Sequence, residues 1–405
     1  MINKLKPIQN DLLLLSALFV LAIAIRVPAL DQTTGDTDIF VQWYRQMMAA
    51  GRWDSLSEQI GNYNAPFVYT MLFASYLPGA IVVKLKIAWL CYDVLLAFFT
   101  YKLATLAFPG RWRAPVLAAL VMLFVPTVAT NASFYGQIDA MWASWAAGGV
   151  YFLARGRHWW GVTLCTVSIA FKPQGVYILP LIGLLILAGR IPWRSLLAIP
   201  VTYLLLDVPA LLAGRDPIEL LTIYSLDRQA RIIEHVNYGA PSMYAFLRPS
   251  ADRVDTVKAL GYLFCAALVI GIIYVLVARA AALTTERVVM SATLFSLLVP
   301  FFLPGMHERY FFLGDVMIVI LVFFRPRLWY LAVMEQFASL MVYAPYLFHN
   351  NGRPVPLEIC ATLMLVTIAL VAYHLFRDVL TEPRPEADSA QPAPAEETTR
   401  IPLPV

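Results

Sequence analysis

The chain has 405 residues, of which 60% are hydrophobic and 14% are charged, and its formal net charge is +4. A mean hydropathy of +0.68 excludes a soluble domain with a hydrated surface. We therefore predict an all-α polytopic membrane protein whose first partner is the lipid bilayer, and we expect no nucleic-acid partner.

Apolar runs long enough to cross a bilayer, which takes about 20 residues, recur along nearly the whole chain. The first run follows Lys4 and Lys6 and is interpreted as a retained helix, because no small-residue cleavage site is evident. The fifth and sixth segments are short and joined by Lys172-Pro173-Gln174, so we expect a pair that stops part-way and lines a cavity. About 12 transmembrane helices are predicted, at 11–30, 86–107, 114–131, 137–154, 159–172, 175–189, 195–213, 257–278, 288–304, 311–324, 328–347 and 356–376.

Arginines recur at every second boundary between these segments, as cytoplasmic loops should under the positive-inside rule. This bias predicts a cytoplasmic N-terminus at 1–10, a transmembrane domain at 11–376 and a cytoplasmic tail at 377–405. The tail is rich in Pro, Glu, Ala and Thr from Glu382 onward and should be disordered. The arginines are Arg111, Arg113, Arg155, Arg157, Arg190, Arg194, Arg279, Arg287, Arg325, Arg327 and Arg377.

Two long loops then lie outside, at about 31–85 and 214–256. In the first, an amphipathic stretch from Asp38 to Ala50 and an apolar stretch from Pro66 to Val83 predict two helices at the outer interface. Counting the second stretch as a span would move Arg111 outside, which the charge bias disfavours. The polar residues of the second loop are Asp216, Asp227, Arg228, Arg231, Glu234, His235 and Asn237-Tyr238-Gly239.

Two polar clusters stand at the predicted outer face. Asp36 and Asp38 open the amphipathic stretch, where simple helix capping is one interpretation. The second cluster, 307–310, reads His-Glu-Arg-Tyr at a membrane boundary. An interfacial anchor with a local ion pair would explain it, but ionisable groups at membrane depth are costly and usually functional.

More polar residues interrupt the apolar runs on the same side. A snorkelling lysine or a structural pair between Lys86 and Asp93 would account for any one of them. Taken together they indicate cations and carboxylates around one cavity. They are Lys84, Lys86, Asp93, Gln137, Asp139 and Lys172.

Sugar transfer from a lipid-linked phosphate to a hydroxyl needs this combination. A carboxylate accepts the hydroxyl proton, and cations hold the leaving phosphate. Asp36 or Asp38 suits the first role, and Lys84, Lys86, His307 and Arg309 suit the second. No phosphate-binding loop, dinucleotide fingerprint or zinc-protease motif competes. The four cysteines have no close spacing and predict neither a disulfide nor a zinc site.

Several motifs, in this order, carry a resemblance to a known family. They are Gly35-Asp36-Thr37-Asp38 with Trp43, Tyr63-Asn64-Ala65-Pro66, Tyr135-Gly136-Gln137-Ile138-Asp139, Phe171-Lys172-Pro173-Gln174 and His307-Glu308-Arg309-Tyr310. Over most of 10–376 the chain resembles polytopic glycosyltransferases of the GT-C superfamily. It is most similar to bacterial mannosyltransferase-like proteins related to the GPI mannosyltransferases and the dolichol-pathway glucosyltransferases. The pattern departs from the family at Ala65, where a double proline is common, and at Asp38, where Asp-aromatic-Glu is common.

The resemblance implies an inverting hexosyltransferase that takes a hexose, mannose favoured, from a polyprenyl-phosphate donor. Asp36 would be the base, Asp38 would orient the acceptor or substitute for Asp36 as the base, and His307 would recognise the donor phosphate. The acceptor would be a glycan, a lipid or a protein, at the periplasmic face of a bacterial inner membrane. No metal or cofactor would be obligatory. Substrate contacts would come from Trp43, Tyr63, Gln137, Asp139, Lys172, Glu308 and Tyr310.

Two other classes remain open, a transporter or flippase of lipid-linked sugars and a polymerase of the O-antigen type. Transporters often contain internal repeats, and no convincing repeat is present in this chain. A polymerase should have arginine-rich outer loops rather than an early acidic motif. The large, uneven outer loops favour an enzyme with a fixed site on the outer face.

Overall fold

The computed structural model describes residues 2–225, 228, 233–279, 282–348 and 352–381, with side chains from residue 9 onward. The predicted disordered tail from Glu382, and Asp227 and Arg231 of the second predicted loop, lie outside the described residues.

The described chain is almost entirely helical, with one pair of very short strands. Its α-helices are α1 (Ile2–Ala24), α2 (Gly35–Ala49), α3 (Ala65–Ser75), α4 (Ile81–Ala107), α5 (Arg113–Phe124), α6 (Pro126–Thr130), α7 (Asp139–Ala154), α8 (His158–Phe171), α9 (Leu179–Leu187), α10 (Ala198–Leu212), α11 (Pro217–Thr222), α12 (Val254–Ala278), α13 (Thr285–Phe302), α14 (Phe312–Phe324), α15 (Trp329–Leu347) and α16 (Leu357–Leu380).

Shorter turns extend or connect these helices. The parallel strands are β1 (Asn237–Tyr238) and β2 (Met306–His307). A π-helical turn, Asn131–Tyr135, continues α6. Short 3₁₀-helices lie at Val27–Ala29, Arg52–Ser57, Pro173–Ile178, Trp193–Leu197, Met243–Phe246, Ala251–Arg253 and Pro326–Leu328.

The twelve predicted transmembrane segments all fall on helical parts of the chain, but segment 114–131 is divided into α5 and α6 at Val125. By length and composition, five helices in the described chain can cross a membrane, or six if the bent pair formed by α5 and α6 is one span. The all-α class is confirmed, and these apolar helices fit a membrane protein. The last helix continues to Leu380, so the residues after the predicted end at 376 are at first helical.

The second stretch of the first predicted loop differs from the expectation. Instead of one interfacial helix over 66–83, α3 ends at Ser75 and α4 starts at Ile81. Pro78 and Gly79 separate them, because proline and glycine together favour a turn, and Gly79 has φ of +106°. Most of α3 is buried against α4, α8 and α10, so it is a core element rather than a surface helix.

The bundle has two packed groups of helices. One contains α4, α5, α7 and α8, with α10 against α8, and the other contains α13 to α16. Contacts of α14 with α4 and α7 join the two groups. Gly149 lets α7 and α8 approach closely, since a Cβ there would overlap Cys165. Asp93 in α4 pairs with Arg26 at 3.0 Å. The pair between Lys86 and Asp93 that the sequence allowed is therefore not formed.

A proline bends the segment that leads to the site. The axes of Arg113–Phe124 and Pro126–Tyr135 differ by 53°. Val125, the residue before Pro126, has ψ of 125°, because the proline ring excludes the helical conformation there. The bend carries Tyr135 toward the start of α2.

A buried lysine joins this region to the segment before α2. Lys86 is fully buried, and its Nζ donates to the carbonyl oxygens of Ala29 (2.7 Å), Gln32 (2.7 Å) and Ser133 (2.6 Å). Gly136, with φ of +76°, passes so close to Thr37 that a Cβ would overlap its side chain. The start of α2 is thus fixed against the end of the π-helical turn.

Replacing Lys86 by Met should lower the free energy of unfolding by about 2 to 4 kcal/mol, since three buried carbonyl groups lose their donor. Thermal unfolding of the purified protein in detergent measures the effect. Lys84→Met is the matched control, because Lys84 is partly exposed and should tolerate the change. Equal unfolding temperatures for the two variants would contradict the structural role of Lys86.

Candidate functional site

A polar cavity of about 720 Å³ opens at the end of the bundle where α2, β1, β2 and the end of α15 meet. It is lined by residues far apart in sequence: Thr34 to Asp36 and Ile39, Tyr135, Asn237 to Gly239, His307 and Arg309, Pro345 and Tyr346, and Arg353. The two polar clusters predicted from sequence, around Asp36 and His307, therefore contribute to one cavity.

The beginning of α2 positions Asp36. Thr34 is the N-cap: its Oγ1 accepts from the backbone N–H of Thr37 and donates to the carbonyl of Tyr135 at 2.7 Å. The caps are thus not the two aspartates, which lie in the first turn of the helix. Oδ2 of Asp36 accepts from Nε2 of Gln137 at 2.5 Å and lies 3.5 Å from Nη1 of Arg309. Among the described residues these are its side-chain partners, so Oδ1 is left for a ligand.

The structure separates Asp38 from this site. Residues two apart on an α-helix point about 200° away from each other, so Asp36 and Asp38 occupy opposite sides of α2. Asp38 is exposed and does not line the cavity. Of the two aspartates predicted as the base, only Asp36 therefore lines the cavity.

Arg309 provides the cationic side of the cavity. Its Nη1 donates to Oε1 of Glu308 at 2.8 Å, and its guanidinium carbon lies 5.8 Å from the ring centres of Tyr135 and Tyr310. Burial alone would lower the pKa of Arg309, but the charges of Glu308 and Asp36 raise it well above its usual value. The guanidinium is therefore permanently charged.

Arg309 also retains unused donor capacity. Its Nε is buried and has no partner in the described part of the chain. That nitrogen has almost no accessible surface, whereas the residue itself lines the cavity. A charged guanidinium in the wall of a cavity is suited to bind an anion, because its planar fork matches the oxygens of a phosphate.

Glu308 holds Arg309 in place by a hydrogen bond and does not line the cavity. It is fully buried, and its Oε1 also accepts from the hydroxyl of Tyr135 at 2.6 Å. Tyr135 is held in turn by Tyr346, whose ring stacks on it at 5.6 Å. Glu308, predicted as a substrate contact, is therefore a positioning residue.

His307 lines the cavity next to Arg309. Pairing of β2 with β1 places it beside Tyr238, and the two rings stack at 4.6 Å. Burial, followed by the charge of Arg309, lowers the pKa of His307 to about 4. The imidazole is therefore neutral near pH 7 in the free protein, and it is a hydrogen-bonding group rather than the cation that the sequence suggested.

Other predicted residues lie outside the cavity. Lys86 is occupied by three carbonyl groups, which leaves no free donor for a phosphate, and Lys84 is partly exposed at the start of α4. Asp139 and Lys172 form a fully buried ion pair, with Nζ of Lys172 5.6 Å from the ring centre of Tyr310. None of these four residues lines the cavity.

Two predicted substrate contacts belong to an aromatic cluster. Trp43 packs edge-on against Tyr63 at 5.7 Å and against Phe67 at 6.0 Å, which holds α2 on α3. Gly61 allows this packing, since a Cβ there would overlap the Trp43 ring. Burial raises the pKa of Tyr63 above its usual value.

Sequence reasoning missed Arg353 and Tyr346 as cavity residues. Arg353 stands alone in the short segment between the last two predicted spans, a segment that the charge bias places outside. An arginine in an outer segment is an exception to that bias, and this exception could have marked Arg353 as a functional residue. Tyr346 carried no signal, because it reads as an ordinary aromatic at a helix end.

The described residues contain no group of three or more His, Cys, Asp or Glu side chains placed to hold a metal ion. Comparison with models of protein families and with curated proteins gives no match to this chain. The functional argument therefore depends on the geometry of the site.

The lowered pKa of His307 predicts a loss of stability in acid. An unfolded histidine has a pKa of about 6.5, so below that pH the unfolded chain binds a proton that folded His307 refuses. Stability should fall as the pH drops through this range toward the folded pKa of about 4. His307→Gln should unfold with a smaller drop in melting temperature between about pH 7 and about pH 5.

The control for this experiment is His158→Gln, because His158 lies in the first turn of α8 and outside the cavity. Its melting temperature should follow pH as in the unmodified protein. If the melting temperature of His307→Gln falls with pH as much as that of the unmodified protein, then His307 is not the group whose lowered pKa causes the loss of stability.

Proposed function

We propose that this chain is an integral membrane hexosyltransferase of the GT-C type, inverting, which uses a polyprenyl-phosphate sugar, mannose favoured. The acceptor is a hydroxyl group at the outer face of a bacterial inner membrane, and no metal is obligatory. The observation that carries the proposal is the cavity itself, where the Asp36 carboxylate and the Arg309 guanidinium stand 3.5 Å apart.

The reaction requires a base next to the attacking hydroxyl. Asp36 takes the proton of the acceptor hydroxyl on its open Oδ1, while Gln137 holds Oδ2. The acceptor oxygen forms a bond to the anomeric carbon, and the bond from that carbon to the phosphate oxygen breaks. The electron pair leaves with the lipid monophosphate, and Asp36 later releases the proton to water.

The leaving phosphate needs a cation close to the anomeric carbon. Arg309 is charged and lines the cavity, so its guanidinium can donate hydrogen bonds to phosphate oxygens. His307 adds a neutral N–H donor and gains affinity for a proton when the anion is present. Glu308 keeps the guanidinium in place, since Nη1 of Arg309 donates a hydrogen bond to Oε1 of Glu308 at 2.8 Å.

A lipid-linked donor also needs an apolar recess for its chain. An apolar groove of about 710 Å³ lies along α5, α6, α14 and α15. Leu340 lines this groove and Tyr346 lines the polar cavity, both from α15. Six residues of helix separate them by only about 9 Å. A donor whose chain lies in the groove can therefore present its phosphate at Arg309.

Replacing Asp36 by Asn should reduce hexose transfer by about 10²- to 10⁴-fold, because the amide cannot accept the hydroxyl proton. Transfer is measured with purified protein and radiolabelled polyprenyl-phosphate mannose or glucose in proteoliposomes. The melting temperature should change little, since Asp36 is partly exposed.

Asp38→Asn is the matched control, because it makes the same chemical change on the opposite side of α2. It should transfer hexose at about the unmodified rate. Similar losses in both variants would contradict the assignment of Asp36. Movement of the donor across the membrane without any transfer would favour a flippase.

A further inference from the structure

A second polar recess adjoins the cavity on the side of α16. It has a volume of about 500 Å³, and Asn237, Gly239 and Arg353 line both spaces. Arg248 and Glu358 complete its charged lining. We call this recess the arginine basin. It has no role in the proposed transfer reaction.

Arg353 stands at the junction between the cavity and the arginine basin. Its guanidinium lies over Gly239, where a Cβ would come within 3.1 Å of Nη2. Gly239 also has φ of +89°, a conformation that glycine adopts without strain. The backbone therefore leaves room for the guanidinium at this junction.

The arginine basin has an excess of positive charge. Arg248 pairs with Glu358 at 3.7 Å, and both side chains are solvent-exposed, at 89% and 44%. Such an exposed pair contributes little and is readily exchanged. Arg353 forms no ion pair in the described structure. Two arginines face one carboxylate, so an incoming anion meets at least one guanidinium with free donors.

The position of the basin decides which substrate it serves. The apolar groove for the donor chain is lined by α1, α5, α6, α14 and α15, and the basin by residues 237–248 and 353–358. The two recesses share no residue, whereas the cavity shares three residues with the basin. A molecule in the basin can therefore reach Asp36 without displacing the donor chain.

We propose that the arginine basin binds an anionic group, a phosphate or a carboxylate, carried by the acceptor. The proposal rests on the proposed transferase function and deepens it by naming the acceptor's chemical class. Arg353 and Arg248 hold the anion, and the acceptor hydroxyl extends past Gly239 into the cavity toward Asp36. Arginine suits this task, because its fork binds two oxygens of one anion.

Binding to the purified full chain in phosphatidylcholine nanodiscs at low salt tests this. The probes are methyl α-mannoside 6-phosphate and its neutral parent, methyl α-mannoside, measured by calorimetry. The phosphorylated probe should bind about tenfold more tightly, as charged hydrogen bonds to arginine provide. The double variant Arg248→Gln, Arg353→Gln should lose this preference.

The matched control is Arg194→Gln with Arg327→Gln, which removes the same charge from exposed arginines outside both spaces. It should keep the preference. Equal affinity of the unmodified protein for the two probes would overturn the proposal, as would an unchanged preference in the basin variant.

A second arm distinguishes the acceptor from the donor. Undecaprenyl monophosphate added to the nanodiscs should leave the affinity for the phosphorylated probe unchanged. Competition between them would mean that the basin holds the carrier phosphate, and the proposal would fall. Asp36→Asn should bind the probe normally, so a missing transferase activity and a missing anion site would be told apart.

Discussion

The buried pair of Glu308 and Arg309 is the interaction on which the site depends. A charge in the interior is tolerated only with an opposite charge and hydrogen bonds, and removing one partner leaves the other uncompensated. Glu308 is fully buried, fixed by the hydroxyl of Tyr135 at 2.6 Å, and directs the guanidinium toward the cavity. The position of the guanidinium beside Asp36 follows from that pairing.

Two segments of the bundle line both the apolar groove and the polar cavity. Along α15 and the bent segment that ends at Tyr135, the lining changes from apolar at Leu340 to polar at Tyr346. The bend at Pro126 is the local cause, because a straight helix would have carried Tyr135 in another direction. The proposed function requires this change of polarity over a short distance.

Hydropathy located the helices well, because long apolar runs depend on composition and little on tertiary context. The separation of α3 from α4 at Pro78 and Gly79 was missed, since the run looked continuous. Residue type selected Asp36 and Asp38 alike, and only the geometry of the helix places Asp36 at the cavity and Asp38 outside it. The sequence assigned Lys86 to a phosphate, and that assignment was wrong. Its partners are the backbone carbonyls of residues 29, 32 and 133, which no local sequence pattern reveals. Arg353 was missed as a single charge in a short segment.

The three hydrogen bonds from Lys86 to backbone carbonyls have a consequence for the order in which the site is assembled. Its partners, and Gln137 beside Asp36, all come from the first 137 residues, whereas Arg309 follows about 170 residues later. Chains are synthesised from the N-terminus, and earlier segments fold first. The acidic half of the cavity can therefore be complete before the cationic half is made. Asp36 and Gln137 would then form a fixed wall before the strand of His307 is synthesised.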